Sequence, residues 1–577
     1  MIGLGSQTVP WLEPPHVRAA EIDRLHELTR LPISLCELLI RRGLTSAPEV
    51  RAFLRPDLNE LHDPALLPDL PTASDRIMRA IDSGETMLVH GDYDADGLTA
   101  TALLTRGLQE LGGRVSGFVP NRLHDGYDFS SPGLLHAREV GASLVLTVDC
   151  GVTANATVEQ ANTWGVDVIV TDHHRPGAHL PDAVAVINPQ RADSEYPNRS
   201  LAGVGVAFKL LTELFRRAGR SEAEVNRHLD LVALGSIADQ VPLLGENRAM
   251  VSAGLKVLAA SAKPGVRALL ERVGHDASAP VRAADVSFRL APRLNSVGRL
   301  GSADPALRLL LEDRSAEAQR LAAFLEARNA ERRTEVDRVY DEVEAGLARA
   351  IDPDTQPMTM IYGDGWPFGV VGIVASRLVD RFQRPALVIA IEGDVGRGSA
   401  RSVTGINLHD ALRGCADLLE RFGGHSMAAG FTVRTSRIPE LRDRLASLIG
   451  EQAAAQPDIK GMATDLVVPL AAVHRELYEW LARLEPFGNS NPSPILVSRD
   501  VTFEKIERIG PARSHLRAEL RSRDGGKLSS IGFGMGDRAT EAGGLTSGDV
   551  AYELQIHRYR GRNRLQARLR DFRQHPA

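Results

Sequence analysis

Three carboxylates alternate in the stretch Met87–Gly97, MLVHGDYDADG: Asp92, Asp94 and Asp96. They follow a short apolar run, Met87-Leu88-Val89, and precede Gly97 and a helix-like segment, Leu98–Leu111. In an extended segment, residues at i, i+2 and i+4 share a face. Three like charges so close repel one another unless a cation lies between them, and hard divalent cations prefer carboxylate oxygens. His90 stands four residues before Asp94, as a nitrogen ligand to the same cluster or simply as the end of the strand. One Asp beside a Gly reads as well as a turn. Three in alternation point to a metal centre.

The elements that must carry such a centre are legible around it. Asp75–Ile81 reads as helix, Met87–Val89 as strand, Leu98–Leu111 as helix and Arg114–Val119 as strand. Ser143–Val148 (SLVLTV) and Val166–Val170 (VDVIV) are apolar β-branched runs, separated by the helix-like Asn155–Trp164. This alternation is the pattern of a parallel sheet wrapped by helices, in which ligands bind beyond the carboxyl ends of the strands. Asp92, Asp94, Asp96, Asp149 and the triplet Asp172-His173-His174 all fall at such ends. Adjacent His173 and His174 cannot both face the core of a half-buried strand. Asp239, in Ile237-Ala238-Asp239, reads either as a cap or as a further ligand.

Residues 200–313 are predicted mostly helical, with loops at Gly235–Leu243 and Ala291–Leu300 (APRLNSVGRL). Ser315–Ala350 reads as one helix, about 50 Å long at 1.5 Å per residue. It has apolar stripes at its ends and a polar middle, Glu326–Glu335, which is expected to bridge two domains bare to solvent. A second α/β unit follows, with strand Met358–Tyr362, helix Val370–Phe382, strand Ala386–Ile391 and glycine-rich loops at Gly393–Ser399 and Gly423–Gly430. From about 460, after one helix near Val473–Leu484, short strands and turns suggest a small β-barrel of the kind that binds oligonucleotides. Before residue 70 the chain reads as short helices broken by prolines, with a capping start at Thr45–Glu49.

At 577 residues the chain exceeds one core and suggests roughly three or four domains. Three dispersed cysteines, Cys36, Cys150 and Cys415, exclude a thiolate zinc site and suggest a reducing compartment. No apolar run approaches the ~18 residues of a membrane helix, and no basic-then-apolar signal opens the sequence. A cytoplasmic protein is expected. The net charge of −6 conceals a basic end: Leu554–Arg570 holds Arg558, Arg560, Arg562, Arg564, Arg568 and Arg570 and no acid. If Arg558, Arg560, Arg562 and Arg564 lie on one strand they share a face, either gripping phosphates or guarding a solvated edge.

Taken in order, Asp92-Tyr-Asp94-Ala-Asp96-Gly, Val148-Asp149-Cys-Gly, Asp172-His173-His174 and Ile237-Ala238-Asp239 resemble the DHH phosphoesterase superfamily. Within it, the arrangement is similar to the bacterial RecJ family of single-strand-specific 5′→3′ exonucleases. The resemblance extends through Ala291–Leu300, Gly423-Gly424-His425-Ser-Met-Ala-Ala-Gly430 and Leu484–Pro494 (LEPFGNSNPSP), and so covers nearly the whole chain. It implies an N-terminal helical segment (1–73), a parallel-sheet DHH catalytic domain (74–314), a bridging helix (315–352), a smaller α/β DHHA1 domain (353–458) and an OB-like nucleic-acid-binding β-barrel (459–577).

It also implies two Mn²⁺ or Mg²⁺ ions. Asp96, Asp149, His173 and Asp239 would hold one; Asp94, the shared Asp149 and His90 would hold the other. Asp92 and Asp172 would orient these ligands, and His174 would hydrogen-bond the scissile phosphate. Arg122, Ser399 and Arg401 would grip the 5′-phosphate. Arg293, Asn295, Arg299 and His425 would contact the strand near the site, and Arg560 and Arg562 would contact it on the barrel. The implied role, in recombination and DNA repair, brings single-stranded DNA, a single-strand-binding protein and a RecQ-type helicase as partners of a monomer. One departure stands out: family members commonly carry Trp-His-Pro-Gly, where Gly365-Trp366-Pro367-Phe368-Gly369 here has no histidine. Two other functions fit parts of the pattern. One is a DHH hydrolase of short oligonucleotides, cyclic dinucleotides or pyrophosphate; the barrel argues instead for a longer polymer. The other is a DNA-binding scaffold without activity, against which stands the complete set of acids and histidines.

Overall fold

Apolar β-branched runs and the helices between them build the first sheet. The structure, a computed structural model, describes residues 10–121, 128–350, 356–455, 461–559 and 562–574. Helix α1 (Leu70–Ser83) leads into strand β1 (Thr86–Gly91), helix α2 (Ala95–Glu110) and strand β2 (Arg114–Phe118). Helix α3 (Ser131–Glu139), β3 (Leu144–Val148), α4 (Asn155–Thr163), β4 (Asp167–Thr171) and β5 (Ala185–Ile187) complete the sheet. Its order is β2-β1-β3-β4-β5, every neighbour parallel. Helices cover both faces, and β3 is buried along its whole length, as continuous apolar strands require.

Further helices close over the carboxyl ends: α5 (Gly203–Arg217), α6 (Leu229–Ala238) and α7 (Ala291–Leu300). The two segments expected as loops are therefore largely helical. Gly235–Ala238 ends α6, and Ala291–Leu300 is α7, continuous with a π-helical turn at Val286–Leu290.

The long helix α8 (Ser315–Ala350) forms as expected. Its polar middle is not bare, however. Glu326 pairs with Arg293 at 2.5 Å, Arg328 donates to Leu300 O at 3.1 Å, and Asn329 is 2% exposed. Glu326 and Arg328 are thus engaged by α7, while Glu331, Arg333 and Thr334 remain exposed. Val336, Val339 and Val343 pack into the second α/β core with Trp366, Val370 and Val374.

That second unit consists of β6 (Thr359–Asp364), α9 (Phe368–Phe382), β7 (Ala386–Glu392), β8 (Val395–Arg401), β9 (Leu419–Gly424), β10 (Ala428–Arg434) and α10 (Ile438–Ala454). The sheet order is β9-β10-β8-β7-β6, with only β6 and β7 parallel. The expected glycine-rich loops are mostly strand: residues 395–399 belong to β8, and 423–430 spans the ends of the β9–β10 hairpin.

These elements belong to one compact unit, residues 62–241 and 253–459, while 1–61, 242–252 and 460–577 form another. In the latter, β11 (Leu496–Ile509), β12 (His515–Ser522), β13 (Lys527–Gly532), β14 (Gly548–Tyr559) and β15 (Arg562–Gln574) close into a barrel through the β11–β14 pairing. The strands are long, not short as expected. The N-terminal helices share this core: Leu35, Leu38 and Leu39 pack with Leu496, Tyr552 and Phe572. Ser46 and Glu49 form the expected capping box.

Candidate metal centre

Each acid is placed by the end of an element. Strand β1 stops at Gly91, and Asp94 is the N-cap of α2, its carboxylate accepting the N–H groups of Asp96 (3.0 Å) and Gly97 (3.1 Å). The three alternating acids are thus not on one extended face. Capping draws the chain into helix at Ala95, and Asp96 projects from the first turn. Gly97 permits this, because a Cβ there would lie 2.6 Å from the backbone of Asp92. Asp96 in turn accepts Gly203 N–H (2.7 Å) and Val204 N–H (2.9 Å) at the start of α5, a helix end that favours an anion.

Asp149 follows β3 in a left-handed conformation, φ 60°, rare for a non-glycine residue. Asp172 follows β4 and acts as a hub. One oxygen accepts the N–H groups of His173 (2.7 Å) and His174 (3.0 Å) and the His174 ring at 2.8 Å; the other accepts Val152 N–H at 3.0 Å. Asp239 caps the C-terminus of α6.

These placements gather three sets whose potential ligand atoms lie within 4.8 Å of one another: Asp96, His173 and Asp239; Asp149, His173 and His174; and Asp92, Asp94 and Asp149. Asp149 and His173 link them. The third set has Asp92 where the expected one had His90. The His90 imidazole is fully buried against Phe118 and Phe129, with Nδ1 3.7 Å from Cys150 Sγ, and belongs to none of the sets among the described residues. Its place as a ligand is corrected by packing: the ring sits under Gly133 of α3, where a Cβ would come within 2.3 Å of Nε2. Burial holds its pKa down at about 4.

The electrostatics of the cluster are those of a site built for cations. Burial, and then the charge of Asp94, push Asp96 up to about 7. Burial with Asp96 and Asp94 pushes Asp239 up to about 9, and burial with four neighbouring acids drives Asp149 well above its ordinary value. Asp149 Oδ1 and His173 Nε2 face each other at 3.0 Å, buried and without a hydrogen-bond partner. Burial, then His174, lowers His173 to about 4, so a neutral ring presents its Nε2 to the carboxylate. Such an arrangement calls for a positive ion. The oxygen and imidazole donors fit Mn²⁺ or Mg²⁺. His174 differs. Burial opposes its charge, but the Asp172 hydrogen bond and the charges of Asp172, Asp239 and Asp92 outweigh it, raising the pKa to about 9.

One residue had no signal in any motif. Asp128 accepts the N–H of Gly151 (2.6 Å), the hydroxyl of Thr153 (2.7 Å) and its neighbour Phe129 N–H (2.8 Å). It thereby holds the turn that carries Asp149.

The residues expected to grip the substrate divide. Arg401 donates to Ser399 Oγ at 3.0 Å, both beside Gly372 of α9. His425 lines a groove with Tyr93, Asp172 and His174. Three others are engaged inside the protein. Arg293 is paired with Glu326 and donates to Arg289 O at 2.6 Å; Asn295 accepts Ala95 N–H at 2.7 Å; Arg299 donates to Gly369 O at 3.1 Å. They brace α2, α7 and α9. Arg122 and Arg560 lie outside the described residues, and Arg562 opens β15 opposite Tyr559. The arginine run is therefore split between two antiparallel strands rather than alternating along one, and Glu553 accepts Arg570 Nε at 2.9 Å.

Known proteins agree with this architecture. Residues 86–236 match the DHH family N-terminal domain, 355–451 the DHHA1 domain and 464–571 the RecJ OB domain. The single-stranded-DNA-specific exonuclease RecJ of Bacillus subtilis is 37% identical over 557 residues, 96% of this chain and 69% of that protein. The RecJ of Dickeya dadantii is also 37% identical, over 93% of this chain and 96% of the relative. A crystal structure of RecJ from Thermus thermophilus in complex with Mn²⁺ superposes with a TM-score of 0.83 at 32% identity, covering 99% of this chain and 80% of that one. With relatives 37% identical over nearly the whole chain and all three domain types matched in order along it, the chain belongs to the RecJ family of DHH phosphoesterases.

Proposed function

We propose that this protein is a divalent-cation-dependent exonuclease that degrades single-stranded DNA from its 5′ end by phosphodiester hydrolysis. The observation that carries this is the linkage of the three ligand sets through Asp149 and His173, next to a groove that Asp172 and His174 line. Two Mn²⁺ or Mg²⁺ ions, when bound, would supply Lewis acidity for the attacking and leaving oxygens and a water acidified toward neutral pH. Asp96, Asp149, His173 and Asp239 would hold one; Asp92, Asp94 and Asp149 would hold the other. Uncatalysed phosphate esters are so inert that the required barrier reduction can exceed ~20 kcal/mol.

The chain's own groups do the remainder. Asp172 fixes His174 through Nδ1, so a protonated His174 offers its second N–H to a phosphate oxygen in the groove. Ser399 and Arg401 are proposed to hold a 5′-phosphate, for which the planar guanidinium is suited. Cytoplasmic action as a monomer, on strands supplied by a RecQ-type helicase and coated by single-strand-binding protein, completes the reading and rests on the family resemblance. The test is degradation of 5′-labelled single strands, duplex and cyclic dinucleotide with Mn²⁺ and with chelator. Metal-dependent loss of the single strand alone is expected; preferential hydrolysis of the cyclic dinucleotide would replace this reading by that of a small-molecule phosphodiesterase.

A further inference from the structure

The second sheet has one covered face and one that is covered only in part. On the first, Ala400, Phe431 and Val433 enter a core with Leu441, Leu445 and Ile449 of α10. On the other, α9 and α8 cover Ala386, Val388 and Ala390 of β7. Over β8 this cover still reaches Ser399 and Arg401, which lie beside Gly372 of α9, and it ends before the exposed Arg397 on the same strand face. The register continues it across the sheet: Arg397 lies beside Thr432, which lies beside Arg421, and Ser399 lies beside Gly430, which lies beside Gly423.

The open rungs have an unusual composition for a sheet face. Arg397 and Arg421 are exposed about 10 Å apart, two strand spacings, and among the described residues neither is in an ion pair. Other arginines on sheets are neutralised, Arg434 by Glu420 at 3.0 Å and Arg521 by Glu504 at 2.9 Å, whereas these two are not. Gly423 and Gly430 have no packing reason to be glycine. A Cβ on Gly423 would meet nothing within 4 Å, one on Gly430 only Gly398 O at 3.9 Å, and neither has positive φ. Glycine weakens a strand and marks a surface that another backbone approaches closely. Arg397, Arg421, Gly423, Gly430 and Thr432 line the same groove as His174 and Asp172, whereas Ser399 and Arg401 do not line it.

We infer that the Arg397–Thr432–Arg421 rung is a second phosphate-holding station, which grips internal phosphodiesters of a single strand lying across the glycine floor. The occupant follows from charge and continuity: two unneutralised cations, a flat floor between them and one groove that also holds His174 and Asp172. This rests on the proposed function and adds a division of labour to it. Arg401 would read the end of the strand; Arg397 and Arg421 would hold its body.

The test is the salt dependence of binding to a long oligothymidylate in chelator, for wild type, Arg397→Ala, Arg421→Ala, the double variant and the two Arg→Lys variants. For single strands each lost contact should shallow the slope of log K against log salt by about 0.7, hence about 1.4 for the double variant. The lysine variants should keep the wild-type slope, and the preference for a 5′-phosphate over a 5′-hydroxyl should change only in Arg401→Ala. An unchanged slope in the double variant overturns the inference while leaving the proposed function standing. A slope that changes only on 5′-phosphorylated oligonucleotide also overturns it, by making the rung part of the end pocket. Wild type that neither binds nor degrades single strands removes the proposed function itself, and the station with it.

Discussion

The two α/β sheets use opposite parts of themselves. The first is all parallel and buried on both faces, so only its strand ends reach a ligand. There, acids from β1, β3 and β4 converge with capping residues of α2 and α6, and the outcome is charge density. The second sheet is mixed and leaves β9, β10 and the Arg397 end of β8 uncovered on one side, so it offers a face. There, small and basic residues spread over several rungs, and the outcome is reach. Chemistry needs convergence; holding a polymer needs length.

Substitutions on the two sheets should therefore fail differently. Asp149→Ala, at a strand end, should lower hydrolysis by about a thousandfold or more, at or beyond the upper range for loss of one electrostatic group. Binding of single strands in chelator should be nearly unaffected. The variant should also melt no lower than wild type without metal, because a buried, crowded carboxylate has been removed. Near-normal nuclease activity with Mn²⁺ would falsify the shared-ligand assignment.

Arg401→Ala, on the face, should instead change selectivity. A charge-assisted phosphate contact of ~1.5–3 kcal/mol corresponds to roughly 10–150-fold in kcat/KM for 5′-phosphorylated over 5′-hydroxyl DNA. Equal losses on both ends would move the end pocket elsewhere.

Asp128 belongs to neither set of ligands, yet it holds the Asp149 turn. Asp128→Ala should weaken Mn²⁺ activation by about 10–100-fold, the usual cost of losing a group that orients a ligand. Asp128→Asn, which keeps one acceptor for Gly151 N–H, should recover part of it. A Mn²⁺ titration of activity that does not move in the alanine variant would make Asp128 merely structural.

The smallest effect is thermal. Asp96 and Asp239 have native pKa values raised to about 7 and about 9, against ~3.9 unfolded. Between those limits the metal-free native state binds more protons than the unfolded state, so its stability falls as pH rises. Cation binding opposes this and adds about 2.7 kcal/mol at a hundredfold excess over Kd. The Tm difference between Mn²⁺-loaded and chelated protein should be a few degrees and should widen from pH 6 to pH 9. A gap that narrows with pH contradicts the carboxylate assignment.

Much of this architecture was readable in advance, and the exceptions have physical causes. Strands β1, β3 and β4 were visible because buried parallel strands are continuous apolar runs. Periodicity put Asp92, Asp94 and Asp96 on one strand because it cannot see that Asp94 caps a helix that starts three residues before the apolar pattern begins. The direction of His90 depends on α3, more than forty residues along the chain, whose Gly133 receives the ring. Arg293, Asn295 and Arg299 look like strand contacts in isolation. Only tertiary packing shows their hydrogen-bonding groups turned toward Glu326, Ala95 and Gly369.

The engaged middle of α8 has a mechanical consequence. Leu321 and Leu325 are buried near its start, Val336, Val339 and Val343 in the second core, and Glu326 and Arg328 are tied to α7 between them. The helix thus works as an indexed shaft, with both groove walls keyed to its rotation. One inserted residue would turn the second wall by about 100° and advance it about 1.5 Å, breaking every key. Seven would return it to within about 20° of the starting angle, displaced about 10 Å along the axis. The spacing of the walls can therefore change only in whole-turn steps, and a wider passage would be reached through such a step.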